Sequence, residues 1–301
     1  MSACSVVIDD ANLCGESPIW DAATQALYWT DSGRCKLFSY DWKNKARNVV
    51  LDNFQVNGFA LDQSGGFAFS NDSGVWFWDR TSSPTLVATE LGTAKLQLND
   101  CIADPRGRLL AGSYFYTPNA KYPLGKLFSI QGNGTIQILD EGFHLANGLG
   151  FSVDGKTLYF TDSVARLIYK YAYDPNTGRA SDRRIFVKID VNAGIPDGLT
   201  VDAEGFVWSA EWYGGCVSRY DPDGRLERRL PVPAKQASSL TFGGPDLCTI
   251  FITSAATLET IPVMPAGYDP DSGYVGGALF QINLGIKGRP EHQTRLAVGV
   301  T

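Results

Sequence analysis

Histidine is almost missing from this chain: 301 residues contain only His144 and His292, which excludes a histidine-rich metal site. His144 reads as a loop histidine without a catalytic role. No GxSxG segment occurs, so a Ser-His-Asp hydrolase has no support. Nowhere do 18 apolar residues run together, and a membrane is not an expected partner. Basic runs are absent as well. The net charge is −6, and Arg183-Arg184 and Arg228-Arg229 are isolated pairs, so nucleic acid, which requires a basic face, is not expected either. Six cysteines are dispersed without a CxxC pair, which favours buried thiols over a disulfide framework. Met1 to Val7 carries neither the basic nor the apolar segment of a secretory leader, so a cytoplasmic protein is expected. Long amphipathic helical patterns are also lacking.

What is present is strand and turn. Hydrophobic residues make up 44% of the chain and aromatics 12%, with 32 glycines and only 19% charged residues. The stretch IPDGLTVDAEGFVWSAEWYGGCVSRYDPDG, starting at Ile195, reads as three short strands separated by Asp-Ala-Glu-Gly and Gly-Gly turns. The same pattern starts at Gly15, Val56, Leu98 and Ala146, and in degraded form at Ser238. Marking one equivalent residue per copy gives Glu16, Asn57, Asn99, Asn147, Asp197 and Ser238, separated by 41, 42, 48, 50 and 41 residues. A period of roughly 40–50 residues with about four strands is that of a propeller blade. The expected fold is therefore all-β: a six-bladed β-propeller with four-stranded blades around a central channel, residues 1–301 forming one domain. Val6 to Ile8 and the tail from Thr294 to Val300 are expected to complete one blade together, because a ring must be closed.

The marked residue precedes the innermost strand of each copy, so the repeat sends six side chains toward one axis. Singly, Asn and Asp favour turns. As a set converging on one axis, Glu, Asn, Asn, Asn and Asp point to a divalent cation such as Ca²⁺, Mn²⁺ or Fe²⁺, because their oxygens are hard ligands. Two copies carry long insertions, one opening with Tyr114-Phe115-Tyr116 and one from Leu258 to Gly276. Loops on a rigid scaffold are places for substrate contact, and Tyr114, Phe115 and Tyr116 offer flat apolar surface there, with Trp212 and Tyr213, after a strand of the fifth copy, expected nearby.

The segments Gly15-Glu16-Ser17-Pro18-Ile19-Trp20, Asn99-Asp100, Asn147-Gly148, Ser152-Val153-Asp154-Gly155-Lys156-Thr157-Leu158-Tyr159, Pro196-Asp197-Gly198 and Phe242-Gly243-Gly244-Pro245-Asp246 give the chain a specific resemblance. It resembles, over nearly all its length, the SMP-30/gluconolactonase/luciferin-regenerating enzyme-like family of six-bladed propellers. The resemblance implies one divalent cation held by Glu16, Asn147 and Asp197, with Asn99 beside it touching water or substrate and Asp100 orienting the set. It leaves the metal open among Ca²⁺, Mn²⁺, Fe²⁺, Mg²⁺ and Zn²⁺. It implies a lactonase that opens a sugar lactone or related small lactone to the hydroxy acid, with Asp197 and Asn99 catalytic. Gln97, Asn99, Tyr114 and Trp212 are then the expected substrate contacts. Gln97 stands where many sugar-lactone hydrolases of the family have Arg; it can donate and accept but carries no charge. A calcium-dependent phosphoester or organophosphate hydrolase and a non-enzymatic cation- or ligand-binding propeller remain as alternatives.

Overall fold

The computed structural model describes residues 4–92, 94–114, 125–257 and 263–296. Six four-stranded antiparallel sheets form the blades of a six-bladed β-propeller, as the repeat predicts. Their inner strands are Gly15–Asp21, Gly58–Leu61, Leu98–Ala103, Ile195–Val201 and Ala146–Phe151, with Ala237–Gly243 in the sixth blade. Each inner strand neighbours the next, and Ala237–Gly243 returns to Gly15–Asp21, which closes the ring. No helix among the described residues is long and apolar enough to cross a membrane.

Local chemistry explains the hairpins. After the inner strand, an Asp or Ser side chain bonds the turn it starts. Asp62 Oδ1 accepts from Ser64 N at 3.0 Å, and Asp202 Oδ1 accepts from Glu204 N and Phe206 N at 3.0 Å each. These turns need one residue in the left-handed region, and Gly65, Gly107, Gly155 and Gly205 supply it at φ 89°, 89°, 69° and 85°. All these hairpins lie at one end of the channel; the segments that enter the inner strands lie at the other.

Apolar packing is wedged between blades. Trp20, Leu27, Trp29 and Phe38 of the first blade pack on Phe251 and Leu279 of the sixth. Trp208, Ala210 and Val217 of the fifth pack on Leu240, Phe242 and Ile250 of the sixth. Comparable clusters join first to second, second to third, third to fourth and fourth to fifth blades. Each is two sheets burying facing side chains, the arrangement of a sandwich repeated around a circle.

Ring closure differs from the expectation. The outer strand of the sixth blade is Ser5–Asp9, paired with Ala278–Asn283 through Ser5↔Gln281 and Asp9↔Ala278. Thr294 to Leu296, the described part of the tail, do not join it. Residues 287–296 instead cross the hairpin end of the propeller, where Lys287 O accepts from Ala203 N, Gly288 N donates to Leu247 O and Arg289 Nη1 donates to Ser152 O. Further along, Arg295 N donates to Gly107 O, and Thr294 Oγ1 donates to Asp62 Oδ2 at 2.7 Å. The blade already has four strands when Ser5–Asp9 docks, so the tail finds its hydrogen bonds in the exposed hairpin carbonyls instead. Residues 297–301 lie outside the described residues.

Removing residues 1–9 should therefore expose the edge of Ala278–Asn283 and lower the melting temperature by roughly 10 °C, a loss of a few kcal/mol in a chain this size. Thermal unfolding followed by circular dichroism tests this; an unchanged melting point would mean that the ring holds without its latch.

Candidate active site

At the end of the channel opposite the hairpins, five of the six inner strands slip register. Glu16 pairs with Thr30 but the next registered pair is Ile19↔Tyr28; Asn147 pairs with Thr161 and the register resumes at Leu149↔Phe160. The slips between Leu98 and Cys101, Pro196 and Leu199, and Ala237 and Ser239 fall at Asn99, Asp197 and Ser238. A bulge bends its strand and re-aims the side chains beside it, and here it falls at the marked residue in three strands and directly after it in the other two.

Two buried carboxylates fix the backbone leading into this ring. Asp31 accepts from Leu13 N at 3.1 Å and Cys14 N at 3.0 Å, directly ahead of Glu16. Asp162 accepts from His144 N at 3.1 Å and Leu145 N at 3.2 Å, directly ahead of Asn147. Both end second strands with the same words, Trp29-Thr30-Asp31-Ser32 and Phe160-Thr161-Asp162-Ser163. That recurrence was the sequence signal for them. His144, half-exposed, also places Nδ1 3.3 Å from Asp162 Oδ2. Gly148 admits a close approach, for a Cβ there would lie 2.3 Å from Asp197 O. The strands bearing Asn147 and Asp197 meet because this residue has no side chain.

Four of the six marked residues come together. Asn99 Nδ2 donates to Asn147 Oδ1 and to Ala146 O, each at 2.9 Å, and Asn147 Nδ2 donates to Ser163 Oγ at 3.0 Å. Both carboxamides are thereby turned with known polarity. Burial, then the charges of Asp197 and Asp100, hold the Glu16 carboxyl well above the usual carboxylate range. Burial and Asp100 do the same to Asp197. Burial pushes Asp100 up to about 6, against the lowering bonds from Cys101 N and Ser17 Oγ. The other two marked residues depart from the set. Ser238 donates to Gly15 O, and Asn57 turns its amide to Asp72 and Leu98 O.

Asp197 is 4% exposed, and its Oδ1 has no hydrogen-bond partner among the described residues. An orphaned buried carboxylate oxygen beside a second carboxylate is costly unless a cation or proton joins it. Glu16, Asp197 and the Asn147 carboxamide oxygen therefore fit a hard divalent cation by donor type and placement. Among the described residues no three His, Cys, Asp or Glu side chains gather as a metal-binding group; here two carboxylates meet two carboxamides. Beneath the set, a cavity of about 50 Å³ runs along the axis, lined in part by Ser17, Asp100, Glu291 and His292.

The expected substrate contacts lie around the mouth. Gln97 is exposed, in the segment entering Leu98–Ala103. Tyr114 donates its hydroxyl to Asp72 Oδ1 at 2.6 Å. Trp212 is buried with Ile195, Tyr213 and Ala255, packed edge-on against Tyr213 at 6.2 Å, with its Nε1 unpartnered among the described residues. Phe115 and Tyr116 lie outside the described residues, as does Pro262 of the second insertion.

Comparison with known proteins agrees with this architecture. The family model for the SMP-30/Gluconolactonase/LRE-like region matches residues 14–256. The chain is 35% identical over 297 residues to the pentonolactonase XacC of Haloferax volcanii, covering 97% of this chain and 98% of that protein. It is 31% identical over 292 residues to regucalcin of Xenopus laevis, covering 94% and 95%. Among solved structures, a calcium-binding protein, regucalcin, from Agrobacterium tumefaciens superposes with a TM-score of 0.84 at 27% identity, covering 98% of both chains.

The carboxylate cluster makes a pH prediction for chelator-treated protein. Folded Asp100 holds its proton up to about pH 6, whereas an unfolded aspartate releases it near pH ~4. The folded form binds more protons in that window, so stability falls as pH rises through it. The melting temperature should drop between about pH 4 and pH 6.5, less steeply in Asp100→Asn. A flat profile would mean that these carboxylates do not strain the folded state.

Proposed function

This chain belongs to the SMP-30/gluconolactonase/LRE-like family, and we propose that it is a metal-dependent lactonase that opens a sugar lactone or related small lactone to the hydroxy acid. The observation that carries the reading is the unpartnered, buried Asp197 Oδ1 set against Glu16, with the oriented Asn147 and Asn99 amides at the channel mouth. The name of the pentonolactonase relative supports the substrate class.

Glu16, Asn147 and Asp197 are the residues that would hold the cation, and a hard dication there supplies Lewis acidity toward the lactone carbonyl and the charge that offsets two carboxylates. The chain's own groups handle protons and position. Asp197 accepts the proton of the attacking water as the new carbon–oxygen bond forms, its carboxylate carrying the unpartnered Oδ1. The ring ester bond then breaks, its alkoxide takes up a proton, and the product carboxyl ionises, so one proton is released per turnover at neutral pH. Asn99 Nδ2 is already engaged, which leaves its Oδ1 to orient the attacking water. Asp100, with Ser17 Oγ 3.4 Å from its Oδ1, adds negative potential behind Asp197 and raises the proton affinity of that base. Gln97 on the rim can donate to and accept from the substrate.

A second reading, a calcium-binding protein without turnover, is favoured by the regucalcin names alone and uses the same residues. The two separate in one experiment. Metal-stripped protein is given aldonolactones and simple γ- and δ-lactones, and proton release is followed as each divalent cation is restored. Metal-dependent acid release is expected; cation binding with no acid from any lactone would leave the binder.

Asp197→Asn and Glu16→Ala should each lower kcat/KM by about 10²-fold or more, with unfolding still cooperative. Retention of wild-type turnover in either variant would remove that residue from the mechanism.

A further inference from the structure

The rim between the second and third blades holds a polar cradle that the hydrolysis described above does not use. Asp72, in the turn between Phe67–Asn71 and Gly74–Trp78, is exposed at the mouth. Its Oδ1 accepts from Asn57 Nδ2 at 2.9 Å and from the Tyr114 hydroxyl at 2.6 Å, and its Oδ2 accepts from Gln55 Nε2 at 3.1 Å. All three donors are neutral. Burial and the Asp72 charge raise the Tyr114 phenol, which therefore remains a donor. The cradle fixes the carboxylate without cancelling its charge.

It is also joined to the candidate site. Asn57 Nδ2 reaches Leu98 O at 2.9 Å, one residue before Asn99, and Ser17 Oγ donates to Asn57 O at 3.2 Å, one residue after Glu16. A carboxylate offers about four acceptor positions, and the cradle fills three. The remaining one, on Oδ2, belongs to an oriented acceptor in solvent beside the mouth. Of the groups named at the mouth, Gln97 is neutral, and the Arg166 guanidinium is enclosed by the carbonyls of Asp190, Ala193, Gly194 and Val263.

We propose that Asp72, presented by Gln55, Asn57 and Tyr114, selects the substrate by accepting a hydroxyl of a neutral, hydroxylated lactone and by repelling lactones that carry a carboxylate or phosphate. The proposal rests on the lactonase reading and names the substrate class within it. An anionic lactone at this mouth meets the Asp72 carboxylate, whose three neutral donors leave its charge uncancelled, whereas the bound cation would offset Glu16 and Asp197. A hydroxyl meets a charged acceptor already held in place, the stronger kind of hydrogen bond.

The test compares metal-loaded wild type with Asp72→Ala and Asp72→Asn on three substrates: a neutral pentonolactone, unsubstituted γ-butyrolactone, and an aldaric-acid monolactone bearing a free carboxylate. Asp72→Ala removes the acceptor and should reduce the kcat/KM preference for pentonolactone over γ-butyrolactone about tenfold. Asp72→Asn removes the charge and should raise kcat/KM on the anionic lactone relative to the neutral one by about tenfold. Wild-type turnover with both variants changed by one common factor on all three substrates would overturn the role of Asp72 while leaving the lactonase reading intact. No turnover of any of them by wild type, with any metal, would overturn both.

Discussion

Apolar packing between neighbouring blades is the constraint on which the rest of this structure depends. Each sheet buries its two faces against the sheets beside it, and every large cluster of buried apolar side chains straddles two blades. A ring built this way places its apolar contacts in the wedges and leaves the axis to the ends of six inner strands. Polar side chains at those ends then face one another whether or not like charges attract. The close grouping of Glu16, Asp197 and Asp100, with their raised proton affinities, follows from that geometry. The energy that holds three carboxylates together is supplied by hydrophobic burial many ångströms away.

Placing strand ends near an axis is coarser than placing donor atoms. The finer positioning comes from hydrogen bonds that act on the backbone just ahead of each strand. Asp31 and Asp162 hold the peptide groups leading to Glu16 and Asn147, and the register slips turn the side chains inward. Asn147 is further fixed from both sides, by Ser163 and by Asn99. A site so supported has its orientation set before any ligand arrives, which lowers the ordering cost of binding.

The repeat and its turns made the propeller legible, because each hairpin is encoded within about twenty residues by its own Asp, Gly and apolar alternation. The axial residues were legible for the same reason: Glu16, Asn99, Asn147 and Asp197 occupy one position in a repeated sentence. What periodicity could not reveal is which copies deviate. Ser238 turns to Gly15 O and Asn57 turns to Asp72 because of neighbours supplied by other blades. The bond between Tyr114 and Asp72 spans 42 residues and no repeat implies it. Ring closure was legible in part: Val6 to Ile8 does complete a blade, within Ser5–Asp9, but its partner 276 positions away and the path of residues 287–296 leave no local trace. The buried Asp31 and Asp162 were visible as a repeated Thr-Asp-Ser but carry backbone contacts, not substrate chemistry.

That pairing of Ser5–Asp9 with Ala278–Asn283 has a consequence for how the protein is made. Ser5–Asp9 is synthesised long before its partner, Ser5 and Gln281 being 276 positions apart. Blades two to five can assemble as they emerge, each a local antiparallel unit. Meanwhile the opening segment and the open flank of the first blade wait unpartnered for a period on the order of tens of seconds at ordinary elongation rates. Solvent-facing Val6 and the free strand edges are then the surfaces most open to premature association.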